Sequence, residues 1–455
     1  MPNILIHRKT ALAIILTVQL MLAMDFLIVV VSLNNIQSDL GFTSADLSWI
    51  PNAFGLAFGG LLLLGGRLGD MIGQVKAFKI GVAIFVLASL LGGLAGSPSI
   101  LITARIFQGI GAALAAPSVL ALITILARNK EEKNRNLSLF IAVSSIGASV
   151  GLILGGALTA FITWRWSLLI NVPIGALAFA VITFIMPETH KVKGKVDYFG
   201  AITGAIGSTA LVFGFISAGE NGWTSLITLI SFSSAAVLFI LFVQIEVKVT
   251  DPLLKLNLLK PTPRRGGLAV MAIIVGMHFA TLFLILQYFQ QVLRYNPLIA
   301  GCAYLPLTAV VFLVSHFVPG LVTRLGVRNL LVIGSILVAI SLIGFSQLTN
   351  TSTYLGDVIS PLLIHSIGIA LVFIPGSIVI LEGVNDEDAG IASGVLQISQ
   401  QIGGAIGIAA ITSVYTVSLQ NDDFSSGLQS AFLVATGIAI LAAIITIFTI
   451  PKKNT

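Results

Sequence analysis

Stretches of about twenty consecutive apolar residues recur along the whole length of this chain, and each could cross the roughly 30 Å hydrocarbon layer of a bilayer as a helix. They fall near 10–32, 48–68, 77–95, 99–127, 136–161, 166–186, 197–217 and 223–246, then 267–292, 299–322, 327–347, 354–380, 390–417 and 428–450. Fourteen spans put both ends of the chain on one side. Only 9% of the 455 residues are charged and mean hydropathy is +1.04, which excludes a soluble domain. The expected class is an all-α polytopic membrane protein.

Charge sets the orientation. With the N-terminus in the cytoplasm, all but three of the 24 Lys and Arg residues fall on the inner side. Arg165 and Arg294 lie outside and Arg105 lies within a span. The net charge of +6 therefore reflects short inner loops and not a nucleic-acid surface. A single cysteine, Cys302, excludes an intrachain disulfide and a cysteine-based metal site. The first apolar run has span length and no small-residue cleavage site after it, so it is expected to be a retained helix.

Within that apolar background two charges stand out. Asp25 is the only charged residue between Thr10 and Ser32. A carboxylate at mid-membrane is costly, so it should face a partner or a wet cavity. That cost makes it the natural candidate to load and release a proton. Arg105 is equally out of place. By a rise of ~1.5 Å per residue it sits about 6–8 Å below the outer boundary and Asp25 about 10 Å below it. The two are expected to meet, directly or through Gln108 and water.

Other motifs concern packing and turns. Gly66-Arg-Leu-Gly-Asp70-Met-Ile-Gly73 follows the second span, and Gly320-Leu-Val-Thr-Arg324-Leu-Gly-Val-Arg328 follows the tenth. This weak repeat suggests two related halves, with Gly66, Asp70, Gly73 and Arg324 as a cytoplasmic gate. The fifth span carries Gly147, Gly151, Gly155 and Gly156, a face suited to close helix approach. Between the halves, 247–266 reads as a cytoplasmic linker whose Leu-rich start is expected on the membrane surface. The loop with Glu382, Asp386, Glu387 and Asp388 is acidic, and a solvated loop is expected there.

Several of these stretches resemble the major facilitator superfamily, and within it the fourteen-span drug:proton antiporters. Arg105-Ile-Phe-Gln108-Gly109-Ile-Gly111-Ala-Ala113 matches the superfamily's R-x-x-Q-G-x-G-A-A pattern. Gly147–Gly156 is similar to the antiporter pattern G-x-x-x-G-P-x-x-G-G, with Leu152 where proline is usual. Met24-Asp25, Trp164-Arg-Trp-Ser-Leu-Leu-Ile-Asn-Val-Pro-Ile-Gly175 and the 393–407 stretch also resemble that branch. The gate motif departs from it, because Met71, Gln74 and Val75 replace basic residues that Lys76 and Lys79 could supply.

The resemblance implies two six-helix bundles, 1–190 and 267–455, with two extra helices and the linker in 191–266. It implies a proton-coupled antiporter in the cytoplasmic membrane that exports lipophilic, often cationic drugs. No cofactor is expected beyond the proton gradient, and the transporter is expected to act as a monomer. Asp25 and Arg105 would couple protons. Gln19, Phe26, Trp49, Asn52, Phe58, Gln108, Gln287, Tyr288, Gln397 and Gln401 would line the substrate cavity with aromatic faces and amides. A narrower exporter of one metabolite or siderophore fits the same features. The later spans hold no clear acid, which leaves His278, His316 and His365 as lone titratable groups, each more often structural than proton-carrying.

Overall fold

A computed structural model describes residues 8–43, 46–189, 197–249, 252–254, 256–384, 389–419 and 424–452. Expectations resting on Lys191, Lys193, Lys195, Lys255, Lys453 and the acids Asp386, Glu387 and Asp388 lie outside these residues. So do those resting on the side chains of Phe26, Lys130, Lys133 and Ser393.

The described chain is helical. Its first part comprises α1 (Arg8–Val30), α2 (Leu33–Leu40), α3 (Trp49–Ile72), α4 (Gln74–Gly93), α5 (Pro98–Ile125), α6 (Lys130–Phe161), α7 (Trp166–Leu169) and α8 (Asn171–Ile185). Then come α9 (Tyr198–Asn221) and α10 (Leu226–Lys248). The last part comprises α11 (Thr262–Gln291), α12 (Pro297–Cys302), α13 (Leu305–Leu325), α14 (Val327–Ser346), α15 (Ile359–Leu381), α16 (Ala389–Ser418) and α17 (Phe424–Thr449). Helix is what an apolar run of this length must adopt, since only a helix satisfies its own backbone in lipid.

Polar residues set the helix ends. Asn129 accepts the Glu132 backbone N–H at 2.8 Å, and Glu132 accepts that of Arg128 at 2.8 Å, which together start α6. Arg264, buried at the head of α11, donates to the Ile380 and Glu382 carbonyls at 2.8 and 2.7 Å. It thereby closes the C-terminus of α15, where a cation is favoured. The Leu-rich start of the linker forms a short 3₁₀ turn, Leu256–Leu259.

Among the described residues twelve helices are long and apolar enough to cross a membrane. A thirteenth is counted if Asp46–Leu62 and Leu64–Ile72, bent by 53°, make one span. The expected count of fourteen is not confirmed among the described residues. Of the expected span 136–161, which falls within the single helix α6, the apolar part described is Val150–Phe161. α7 and α8 join across a break at Ile170 into the span Trp166–Ile185.

By contacts the chain divides into two compact units. One contains residues 1–205 with the short segments 249–253 and 296–302; the other contains 206–248, 254–295 and 303–455. The interior of the first is built by α1, α4, α5 and α8, with Ile15, Val18, Phe78, Phe85, Val119 and Ile182 all fully buried. Large apolar side chains remain on the outside of several helices, among them Phe184 at 88% exposure and Leu226 at 72%. Such surfaces suit lipid and not water.

The repeated gate sequence produces the same backbone device twice. Gly73 joins α3 to α4 with φ 99°, and Gly326 joins α13 to α14 with φ 76°. Both lie in the region that a residue with a Cβ rarely adopts. Two long helices are thereby linked through one residue in each case.

Candidate functional site

Asp25 and Arg105, eighty residues apart in sequence, meet in the interior of the first unit. The Arg105 Nη1 donates to Asp25 Oδ2 at 2.5 Å, and both side chains are wholly buried. Two other donors hold the second carboxylate oxygen. Asn171 Nδ2 reaches Oδ1 at 2.7 Å, and Gln108 Nε2 reaches it at 3.2 Å. Ser89 Oγ accepts from Gln108 at 2.7 Å and from Asn171 at 3.4 Å, which ties α4 into the same network.

The guanidinium is fixed by groups besides the carboxylate. Its Nε donates to the Ile50 carbonyl at 3.1 Å and its Nη1 to Gln108 Oε1 at 2.9 Å. The Phe54 ring lies 4.5 Å from its Cζ, a cation–π distance. Five helices, α1, α3, α4, α5 and α8, thus converge on one ion pair. Electrostatically the centre is balanced only while Asp25 is charged. A proton on Asp25 would remove the partner that compensates Arg105 in a medium where uncompensated charge is expensive.

The glycine motif seats the helix that carries Asp25. A Cβ at Gly147 would stand 2.5 Å from the Ala23 side chain, and one at Gly151 would stand 2.5 Å from the Met24 carbonyl oxygen. Gly155 abuts Ile28 in the same way, so α6 lies directly on the α1 backbone around Asp25. Gly156 faces the Pro297 backbone of α12 instead.

The Trp-Arg-Trp stretch fixes the remaining contributor. Trp164 Nε1 donates to Asp39 Oδ2 at 2.9 Å, and Arg165 pairs with the same carboxylate and donates to the Ala95 carbonyl at 3.0 Å. These two donors hold the Asp39 carboxyl below its usual range. Ser167 Oγ lies 3.1 Å from Ser32 Oγ. So anchored, α7 delivers Asn171 to Asp25 one turn later. The sequence reading quoted this stretch but gave Asn171 and Ser89 no part in the centre. Their signal was weak, since a lone Asn or Ser in a span is common.

Asp70 is exposed and accepts from the Gln74 side chain at 2.9 Å, while the Gln74 backbone N–H goes to Thr189 Oγ1 at 2.6 Å. Lys79 pairs with Glu188 at 2.7 Å. Gly66 lies against Pro117, and Arg324 is exposed at the end of α13. Among expected substrate residues, Gln19 donates to Ser144 at 2.9 Å, and Phe58 packs beside Phe54 at 5.8 Å. Trp49 is half-buried. Asn52 is buried with neither amide atom bonded to a described residue.

In the second unit Gln287 accepts from Gln291 at 2.9 Å, and the buried Tyr288 donates its hydroxyl to the Thr349 carbonyl at 2.8 Å. Gln397 and Gln401 are half-buried on α16. Two of the three lone histidines turn out not to be alone. His278 Nδ1 lies 3.1 Å from His365 Nε2, and His365 Nδ1 lies 3.0 Å from Ser341 Oγ. His316 is exposed beside Phe317.

Comparison with known proteins places these features in a family. The model described as Major Facilitator Superfamily matches residues 14–408. The chain is 34% identical over 451 residues to the cephamycin export protein CmcT of Amycolatopsis lactamdurans, covering 97% of this chain and 91% of that protein. It is 34% identical over 418 residues to the puromycin resistance protein pur8 of Streptomyces alboniger, covering 90% and 82%. A crystal structure of the peptide transporter POT in complex with sulfate superposes with a TM-score of 0.69 at 13% identity, covering 96% of this chain and 93% of that one. That last likeness is one of fold alone.

Proposed function

The chain belongs to the major facilitator superfamily and is a multi-pass membrane transporter, not an enzyme, and we propose that it exports lipophilic, often cationic compounds from the cytoplasm in exchange for protons, with Asp25 as the proton site. The observation that carries this reading is the wholly buried Asp25–Arg105 pair. A buried ion pair is poor stabilisation for a membrane protein, because each charge is expensive there. A charge that changes during the cycle gives it a use.

In this reading an ionised Asp25 pairs with Arg105 and keeps α1, α5 and α8 drawn to one point. Protonation cancels the carboxylate, loosens the hold on Arg105 and lets the helices change partners. Alternating access then follows from rocking of one bundle against the other. A cationic substrate stabilises the ionised form and a proton removes it, so the two compete. The protein would sit in the cytoplasmic membrane with both termini inside and work as a monomer. Aromatic rings such as Trp49 and Phe58, with amides such as Asn52 and Gln401, suit amphipathic cations. Relatives named for single antibiotics favour a second reading, export of one compound or a narrow group.

The test uses the purified protein in proteoliposomes under an imposed pH gradient, with a lipophilic monocationic dye as substrate. Wild type is expected to transport and Asp25→Asn to fall to the protein-free background. Wild-type rates in Asp25→Asn at the same gradient would overturn the assignment. A competition panel of unrelated compounds then separates broad from narrow export.

A further inference from the structure

The second unit contains a chain of hydrogen bonds whose direction can be worked out from the donors. Ser341 has one hydroxyl hydrogen, and it is engaged with the Val338 carbonyl at 2.6 Å. Ser341 Oγ therefore accepts from His365, so His365 carries its hydrogen on Nδ1 and its Nε2 is an acceptor. That nitrogen in turn takes the Nδ1–H of His278 at 3.1 Å. What remains is the Nε2 lone pair of His278, which has no hydrogen bond to a described residue. His365 is wholly buried and His278 is only half-buried, so the open end of the chain is the accessible one.

We propose that His278, His365 and Ser341 form a second proton-binding site, which loads at His278 Nε2 during the transport cycle. The proton balance is simple. A proton adds to His278 Nε2 and the hydrogen on its Nδ1 passes to His365 Nε2. His365 then carries both hydrogens, with one donated to Ser341 and one back to His278. The site holds one proton, because two imidazolium rings at this separation would repel strongly.

Among the described residues no carboxylate competes for the charge at that level. α11 carries Arg264 and Arg265 at its start and Tyr288 near its end. α14 has only Arg328 in its first turn. α13 has Arg324 in its last turn besides the exposed His316, and α16 has only Tyr415. α17 and the Leu256–Leu259 turn have no titratable residue. The turn before α15 brings Tyr354 and Asp357, the latter eight residues from His365 and so about 12 Å along the axis. The Phe345 ring, 6.3 Å from His365, closes another side.

This site rests on the proton-exchange reading for its role but not for its chemistry. It changes the charge count of the cycle. One proton on Asp25 against a monocation moves no net charge, whereas two protons move one positive charge inward, favoured by about 2.3 kcal/mol per 100 mV of negative-inside potential.

The first measurement is NMR of the full chain in nanodiscs with ¹⁵N-labelled histidine, assigned by difference from His278→Gln. Both rings are expected as Nδ1–H tautomers at about pH 8, with one ring gaining a proton on acidification. Ser341→Ala should remove the acceptor that fixes the His365 tautomer and redistribute it. Opposite tautomers, or no titration of either ring, would overturn the proposal. The second measurement is monocationic dye transport in proteoliposomes with the potential clamped by potassium and valinomycin. Wild type should accelerate as the cytoplasmic side is made more negative, and His278→Gln should lose that response while remaining driven by pH. An unchanged response in His278→Gln would also overturn it. A wild type that no pH gradient drives would defeat the exchange reading, leaving proton binding at the relay to be decided by the tautomer measurement.

Discussion

The Asp25 centre and the His278 centre use the same positions of two similar helical runs. In 8–185 three of the contributing residues come from the first, third and fourth long helices, as Asp25 on α1, Ser89 on α4 and Arg105 on α5. In 262–449 they come again from the first, third and fourth, as His278 on α11, Ser341 on α14 and His365 on α15. The serines lie at similar but not identical places on their helices, 16 residues beyond Gly73 in one case and 15 beyond Gly326 in the other. One framework therefore carries two chemistries. An ion pair needs many hydrogen-bond partners to be tolerable in the interior: Asn171 and Gln108 donate to the carboxylate and the Ile50 carbonyl accepts from Arg105. A neutral imidazole pair needs only a tautomer-fixing neighbour, and Ser341 suffices. The first centre is expected to be expensive to break and the second cheap.

Arg105→Ala tests that contrast most severely. It leaves a buried carboxylate facing only neutral donors, and is expected to destabilise the protein by about 3–5 kcal/mol and to lower its yield in the membrane. Adding Asp25→Asn removes the orphaned charge and should recover most of the loss in thermal unfolding. If the double variant is no more stable than Arg105→Ala, the pair is not the energetic core of the unit.

A smaller effect is expected where α6 meets α1. Gly151→Leu forces α1 away from its seat at Met24 and should cost roughly 1–3 kcal/mol. It should also reduce transport more than a substitution of equal size at Gly437, near whose Cβ position nothing lies within 4 Å. Equal loss at both sites would mean that the close approach does not position Asp25.

The mildest prediction concerns Asp39, outside the spans. Arg165 and Trp164 depress its carboxyl, so its stabilisation is present above the usual carboxylate range. It is lost as pH falls through the lowered value. The pair is partly exposed, at 33% and 45%, so Asp39→Asn should cost no more than about 0.2–1 kcal/mol at neutral pH. Thermal unfolding of variant and wild type should converge in acid. A difference that grew on acidification would contradict the assignment.

How much was legible in advance depends on whether a feature is periodic or rare. Asp25 and Arg105 stood out because charge in a span is rare, and their pairing followed from depth alone. Asn171 and Ser89 could not be picked out, because uncharged polar residues are common in spans and only three-dimensional convergence distinguishes them. The histidines show the same limit from the other side. Each is isolated by 87 residues from its partner, so a reading of single positions treats both as lone groups.

The sequence by itself determined the helical class, the multi-pass character and the family, because apolar runs of span length leave the backbone one solution in lipid and the family motifs are local. It also determined the turns at Gly73 and Gly326, whose φ values exclude most other residues. The tertiary structure alone decided which polar groups share a centre. Hydrogen bonds across helices depend on rotation and tilt, which packing sets and a linear pattern does not encode. That is why the Asp25 network extends to α8, why Asp70 turns to Gln74, and why His278 and His365 face each other with Ser341 at the closed end.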